Sequence, residues 1–195
     1  MKPVILVGGG GHARVSVDAL LLQKVKILGF VDPNQKEMTV AGRKIRYLGI
    51  DETLLDKKFS RNHLLVNGIG SVGDPRFRKQ IFEKFRSSGY SFAGVIHPSA
   101  IIAKDVQLEE GAQVMAGSVI QAGTKIGKNV IINTHVSIDH DCEIADHVHI
   151  APGAILCGGV RVGEGAHVGC GAVIIQGVSV EPYVLIRSNE LVTRK

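Results

Sequence analysis

From Ile96, Ile102 and Leu108 through to Val180 and Ile186, every sixth residue is aliphatic, sixteen positions without a break. A helix cannot use a strict period of six, because successive apolar residues would rotate around its axis. An extended chain can. The residue four after each aliphatic is small or β-branched, as at Ala100, Val106, Ala112, Val130, Cys142 and Ala172. It stands two before the next aliphatic, on the same face of a strand. The residues between are turn formers, as in Gly127-Lys128-Asn129 and Gly163-Glu164-Gly165. Each hexad is one short strand and one corner, and three hexads close a triangular coil of about 18 residues. The outward strand positions Val119, Ile131, Ile155 and Val173 are apolar as well. Ordering so long a coil costs more than its interior stack returns, so these residues need cover. Faces of neighbouring copies are the natural cover, and a triangular prism predicts a threefold assembly.

The residues before the coil read differently. Val4 to Val7 is a short buried strand, followed by Gly8-Gly9-Gly10-Gly11-His12-Ala13 and a helix from about Ala13 to Leu22. Lys26 to Val31 makes a second strand ending at Asp32, Leu64 to Val66 a third, and Pro75 to Ser87 a further helix. Gly8, Gly10 and Ala13 form a G-x-G-x-x-A fingerprint, and Asp32 lies nineteen residues past Ala13, where a ribose-binding acid belongs. Glycines there let the backbone approach a diphosphate, whose charge meets the amides at the helix start. One such half-fold suits a nucleoside diphosphate and is too small for a dinucleotide plus substrate. The expected division is a Rossmann-like α/β half domain at 1–92 and an all-β coil at 93–195.

Composition narrows the function classes. Aromatics are 5% of the chain and the 23 Lys and Arg are scattered, with a net charge of +5. Nucleic-acid binding calls for a basic stripe interleaved with aromatics, so no nucleic-acid partner is expected. No apolar run reaches the roughly 18 residues of a membrane span, and no basic segment precedes Val4 as in a secretory signal. Cys142, Cys157 and Cys170 form no CxxC pair. A cytoplasmic, thiol-bearing protein is expected.

A short nucleotide-binding half followed by a hexapeptide coil resembles the PglD/NeuD-type sugar acetyltransferases of bacterial glycan pathways. The likeness is carried by GGGGHA (Gly8 to Ala13), GFVDPN (Gly29 to Asn34), VIHPSA (Val95 to Ala100), NTHVSIDHDC (Asn133 to Cys142) and HIAPGA (His149 to Ala154), and it covers nearly the whole chain. The resemblance implies a left-handed parallel β-helix and acetyl-CoA as co-substrate, with no metal. It implies N-acetylation of a nucleotide-linked amino sugar of the 4-amino-4,6-dideoxy type. O-acetylation of a sialic acid or related sugar is the alternative within the family.

The same resemblance assigns residues. His140 would be the general base and Asp141 its orienting acid. His149 would line the acetyl-CoA site, with the Gly158 amide facing the thioester oxygen. His12 and Asn133 would touch the sugar, while Gly8, Gly10, Gly11 and Asp32 would hold the diphosphate and nucleoside. Family members end near a G-x-P-A-K motif beside the CoA adenine. The segment Arg187 to Lys195 has none, which leaves Arg187, Arg194 and Lys195 as candidates for the CoA phosphates.

The residues themselves agree in part. His140 and Asp141 fall on a corner, where neighbouring side chains can converge. An ordinary imidazole is roughly three-quarters neutral at pH 7, the form that accepts a proton. His149 falls on the outward side of a strand half a coil away, so His140 and His149 can serve one site only from different chains. His63 and His167 read as solvated surface residues. Two other classes stay open. His135, His140, His147 and His149 lie within fifteen residues, and His135 and His140 match the HxxxxH pair of γ-class carbonic anhydrases, although the third ligand's place falls at Ser99. A non-catalytic assembly prism is the other.

Overall fold

The structure is a computed structural model and describes residues 2–55 and 62–193. Arg194 and Lys195 lie outside the described residues. The N-terminal half runs β1 (Val4–Val7), α1 (Gly11–Leu22), β2 (Ile27–Val31), β3 (Met38–Val40), β4 (Arg43–Ile45), β5 (Tyr47–Gly49), α2 (Asp51–Leu55), β6 (Leu64–Asn67) and α3 (Arg76–Ser87). Four strands form a parallel sheet in the order β5-β2-β1-β6. Alternate residues of β1 face opposite sides. Val4 and Leu6 pack with Val17 and Leu20 of α1, and Ile5 and Val7 pack with Phe82 and Phe85 of α3. The chain turns out of β1 at Gly8, whose φ of +100° favours glycine and whose missing Cβ would lie 3.0 Å from Ile69. The β3–β4 hairpin, β5 and α2 were not anticipated, because elements of three to five residues are too short to display a period.

From Val95–Ile96 to Leu191–Val192 the chain forms two-residue strands joined by four-residue corners. They stack into three parallel sheets, in which each residue pairs with the one eighteen further on, as in Val114↔Ile132 and Ile132↔Ile150. The predicted interior aliphatics from Val114 to Ile186 are all buried. Ile96, at the open base of the coil, is half-exposed.

A second period of six runs through the corners. From Gly111 to Asn189 every sixth residue has a left-handed φ, between 53° and 75°. Glycine fills most of these slots. Asn129, His135, Asp141 and His147 fill four in succession, at the energetic cost such residues carry with φ > 0.

The three faces of the prism have different fates. One face carries Gln113, Ile131, His149 and His167, all buried beneath the N-terminal half. Ile131 is therefore covered by its own chain, not by a neighbour, which corrects the expectation for that residue. His167 is also not on the surface. It is 7% exposed, and its ring meets that of His149 edge-on at 4.9 Å. His63 is likewise buried, against Tyr90, with ring centres 5.6 Å apart. A second face carries Gln107, Lys125, Glu143, Arg161 and Ser179 and is polar. The third bears a column of Ile101, Val119, Ser137, Ile155, Val173 and Leu191, apolar except at Ser137, of which Ile101, Ile155 and Leu191 are exposed hydrophobics.

Candidate active site

The predicted site residues fall into two groups on different edges of one chain. The first is the corner that follows Ser137–Ile138. His140 Nδ1 lies 2.8 Å from Asp141 Oδ2, and both side chains are more than half exposed. The convergence comes from the left-handed φ of 58° at Asp141, which turns its carboxylate back toward the preceding residue. The His140 amide is held at 2.8 Å by Asp139. The Asp141 hydrogen bond, followed by the charge of Asp139, raises the His140 pKa above its ordinary value. Less of the free imidazole is therefore neutral at pH 7 than an unperturbed histidine would give. Gly158 lies one rung above, and a Cβ there would sit 2.7 Å from the His140 ring. With Gly159, Gln176 and Gly177 these residues line an open depression of about 520 Å³. The Gly158 amide has no hydrogen-bond partner among the described residues, so it is available to an oxyanion.

The second group lies between the N-terminal half and the covered face of the coil. Gly8, Gly10, Gly11, His12, Asp32, Asn133 and His149 line one depression of about 600 Å³, together with Val15, Ile69, Ser71, Val72 and Phe77. A Cβ on Gly10 or Gly11 would meet nothing within 4 Å, whereas one on Gly9 would clash with Phe30 at 2.8 Å. Gly10 caps α1, so the helix's first amides face the depression. The Asp32 carboxylate braces the loop. It accepts from Gly9 N at 2.7 Å through Oδ2, and from the Asn34 and Gln35 amides at 2.8 and 2.7 Å through Oδ1.

His149 donates from Nδ1 to the Ser71 carbonyl at 2.7 Å, and Asn133 Nδ2 donates to His149 Nε2 at 3.1 Å. Burial, helped by His167 and Arg78, pushes its pKa down to about 3. His149 thus stands with His12 and Asn133, while Gly158 stands with His140. Arg187 sits on an exposed corner, where its amide donates to Glu190 at 2.8 Å. His135, His140, His147 and His149 are spread over three corners and one strand. Among the described residues no three His, Cys, Asp or Glu side chains come together as a metal would require.

Several residues of this region were missed. Arg78 is 1% exposed and donates to the carbonyls of Asn129 and His147, and to Val148 O at 3.4 Å. Burial lowers its pKa to about 9. Asn67 donates to Asn129 Oδ1 at 3.1 Å, and Asn129 meets His147 at 3.0 Å. Two of the four consecutive non-glycine corner residues, Asn129 and His147, thus anchor the N-terminal half. A signal was present, since Arg78 shares the helical face of Ile81, Phe82 and Phe85 at spacings of three, four and seven.

Comparison with known proteins agrees with this architecture. The profile of the PglD N-terminal domain matches residues 3–85, and that of the bacterial transferase hexapeptide (six repeats) matches residues 123–158. UDP-N-acetylbacillosamine N-acetyltransferase from Bacillus subtilis (strain 168) is 36% identical over 115 residues, which are 59% of this chain and 52% of that protein. The match therefore spans about half the length of that relative. A histidine-to-asparagine mutant of Caulobacter crescentus perosamine N-acetyltransferase, in complex with CoA and GDP-perosamine, superposes with a TM-score of 0.89 at 35% identity, over 100% of this chain and 90% of that one. The acetyltransferase domain of PglB from Neisseria gonorrhoeae FA1090 gives 0.90 at 30%, over 100% and 93%. The coil is thus a left-handed parallel β-helix, and the chain belongs to the class of hexapeptide-repeat acyltransferases. Within that class it belongs to the PglD/NeuD-type sugar acetyltransferases.

Proposed function

We propose that this chain transfers the acetyl group of acetyl-CoA to the amine of a nucleotide-linked amino sugar of the 4-amino-4,6-dideoxy type, in the cytoplasm, for bacterial surface glycans. The observation that carries this reading is the 2.8 Å His140–Asp141 pair beside a Gly158 amide that has no hydrogen-bond partner among the described residues. GDP-perosamine in the Caulobacter complex supports the acceptor class. Neutral His140 takes the proton that the amine loses as its nitrogen bonds to the thioester carbonyl. The Gly158 amide meets the resulting oxyanion. Collapse breaks the C–S bond, and the imidazolium returns the proton to the departing CoA sulfur. Asp141 fixes the ring's orientation and stabilises the imidazolium. The thioester is already activated, so neither a covalent enzyme intermediate nor a metal is required. Arg187 is proposed to meet a CoA phosphate.

The acceptor occupies the depression of Gly8, Gly10, Gly11, His12, Asp32 and Asn133, with the diphosphate at the start of α1. His149 lies at the boundary between the acceptor and the acetyl group. The two groups of residues occupy different edges of one prism, so a complete site is formed between protomers of a homotrimer. The bare column of Ile101, Ile155 and Leu191 supports that assembly. The proposed units are 1–92 for the nucleotide sugar and 93–195 for transfer. Mass-spectrometric screening of UDP-, dTDP- and GDP-linked 4-amino sugars beside free sialic acid tests the reading. Acetylation of a nucleotide-linked amine with CoA release is expected, and acetylation of sialic acid alone would overturn it.

A further inference from the structure

Gln113 lies on the covered face of the coil, 1% exposed, in a column whose neighbouring rungs carry Val95 and Ile131. Its contacts fix both ends of the amide. Nε2 donates to the Asn67 carbonyl at 2.7 Å, and a carbonyl can only accept. Oε1 must therefore point the other way, where it lies 2.7 Å from His12 Nε2 and 3.4 Å from the Ser16 hydroxyl. An amide oxygen also only accepts, so His12 carries its proton on Nε2 and its lone pair on Nδ1. His12 Nδ1 has no partner among the described residues and is not one of the sealed, unpartnered side-chain atoms, and His12 lines the acceptor depression.

We propose that Gln113 is a positioning residue that locks His12 as a neutral imidazole with a free Nδ1 acceptor. The depression then selects a sugar offering a hydroxyl or amine hydrogen at that point and disfavours one offering a carboxylate. The surroundings favour the neutral ring. Arg78 is the nearby cation, His149 is itself neutral, and burial holds the His12 pKa down at about 4. A carboxylate would meet an imidazole lone pair where a donor is needed. This inference rests on the acceptor reading above and adds the feature that discriminates among sugars.

The test separates the two. Imidazole ¹⁵N–¹H correlation spectra of histidine-labelled protein, assigned with His12→Asn, report the tautomer without any turnover. His12 is expected as the Nε2–H form from pH 5 to 8. A His12 that is protonated on Nδ1, or cationic at pH 7, would overturn the proposal whatever the enzyme acetylates. In Gln113→Met the expected result is a mixture of tautomers and an acceptor KM raised about tenfold, the worth of one hydrogen bond, with kcat nearly unchanged. In Gln113→Glu the added charge should make His12 titrate near neutrality, so that the acceptor KM falls as pH rises. A kcat loss with unaltered KM in both variants, or a flat pH dependence in Gln113→Glu with a folded spectrum, would refute the positioning role. Failure of the sugar screen with the predicted tautomer intact would remove the substrate reading alone.

Discussion

Replacing Gly158 by alanine isolates the geometry of the proposed base. The new Cβ would lie 2.7 Å from both Cε1 and Nε2 of His140. Non-bonded carbons rest at about 3.5–4.0 Å, so the ring must move by about 1 Å or swing away from its place beside Asp141. Nothing else need move, because Gly158 is not among the residues with a left-handed φ and the imidazole is exposed. A displacement of about 1 Å from a reactive geometry can cost on the order of a hundredfold in rate. The expected outcome is a kcat reduced by about two orders of magnitude, with the melting temperature and the acceptor KM little altered. The assay is release of the CoA thiol followed with a chromogenic disulfide, alongside a thermal melt. Loss of the Asp141 bond should also move the rising, acidic limb of the pH–rate profile to lower pH, because that bond is the largest cause of the raised His140 pKa. A variant with kcat within threefold of the parent would show that the His140 ring position does not govern the reaction.

Four further outcomes follow from the contacts described. Arg78→Ala strips the donor from the buried carbonyls of Asn129 and His147 and should destabilise the fold by about 3 kcal/mol, measured by urea unfolding; a loss below about 1 kcal/mol would contradict its anchoring role. His12 and His149 are neutral when folded, with pKa values of about 4 and 3, and take up protons near 6.5 when unfolded. The unfolded chain then binds more protons below pH 6.5, so stability should drop by about 1 kcal/mol per histidine between pH 7.5 and 5.5, and denaturation midpoints that stay level would count against it. Asp141→Asn should leave the fold intact while lowering the pH at which activity rises, and an unmoved limb would separate Asp141 from the base. Ile155→Asp places a charge on the bare apolar column and should give monomers in sedimentation with loss of turnover, whereas active monomers would refute a site shared between protomers.

The coil was legible because its period is strict and long, and the interior positions from Val114 to Ile186 are buried as the pattern required. The strand–glycine–helix opening was legible for a similar reason, since Gly8 serves a turn that few other residues could make. Hidden from sequence were contacts between segments far apart along the chain. Gln113 reads as one polar residue on a strand, and its meaning depends on His12, which is 101 residues away. Ile131 and His167 read as outward-facing, and they are, but the N-terminal half lies over them. The His140–Asp141 pairing was anticipated from the corner, whereas the raised pKa needed the Asp139 charge and the bond's actual geometry.

The eighteen-residue pairing governs which changes of length the coil can absorb. Adding or removing one hexad rotates everything downstream by a third of a circuit. The surface that seats the N-terminal half would then come to lie where the charged ladder or the oily column had been. Only a complete circuit preserves the arrangement. Lengthening in whole circuits beyond Arg187 would extend the prism while leaving His140, Gly158 and their neighbours undisturbed, whereas a single extra strand before Asn133 would keep His140 and Gly158 together but carry Asn133 and His149 away from His12.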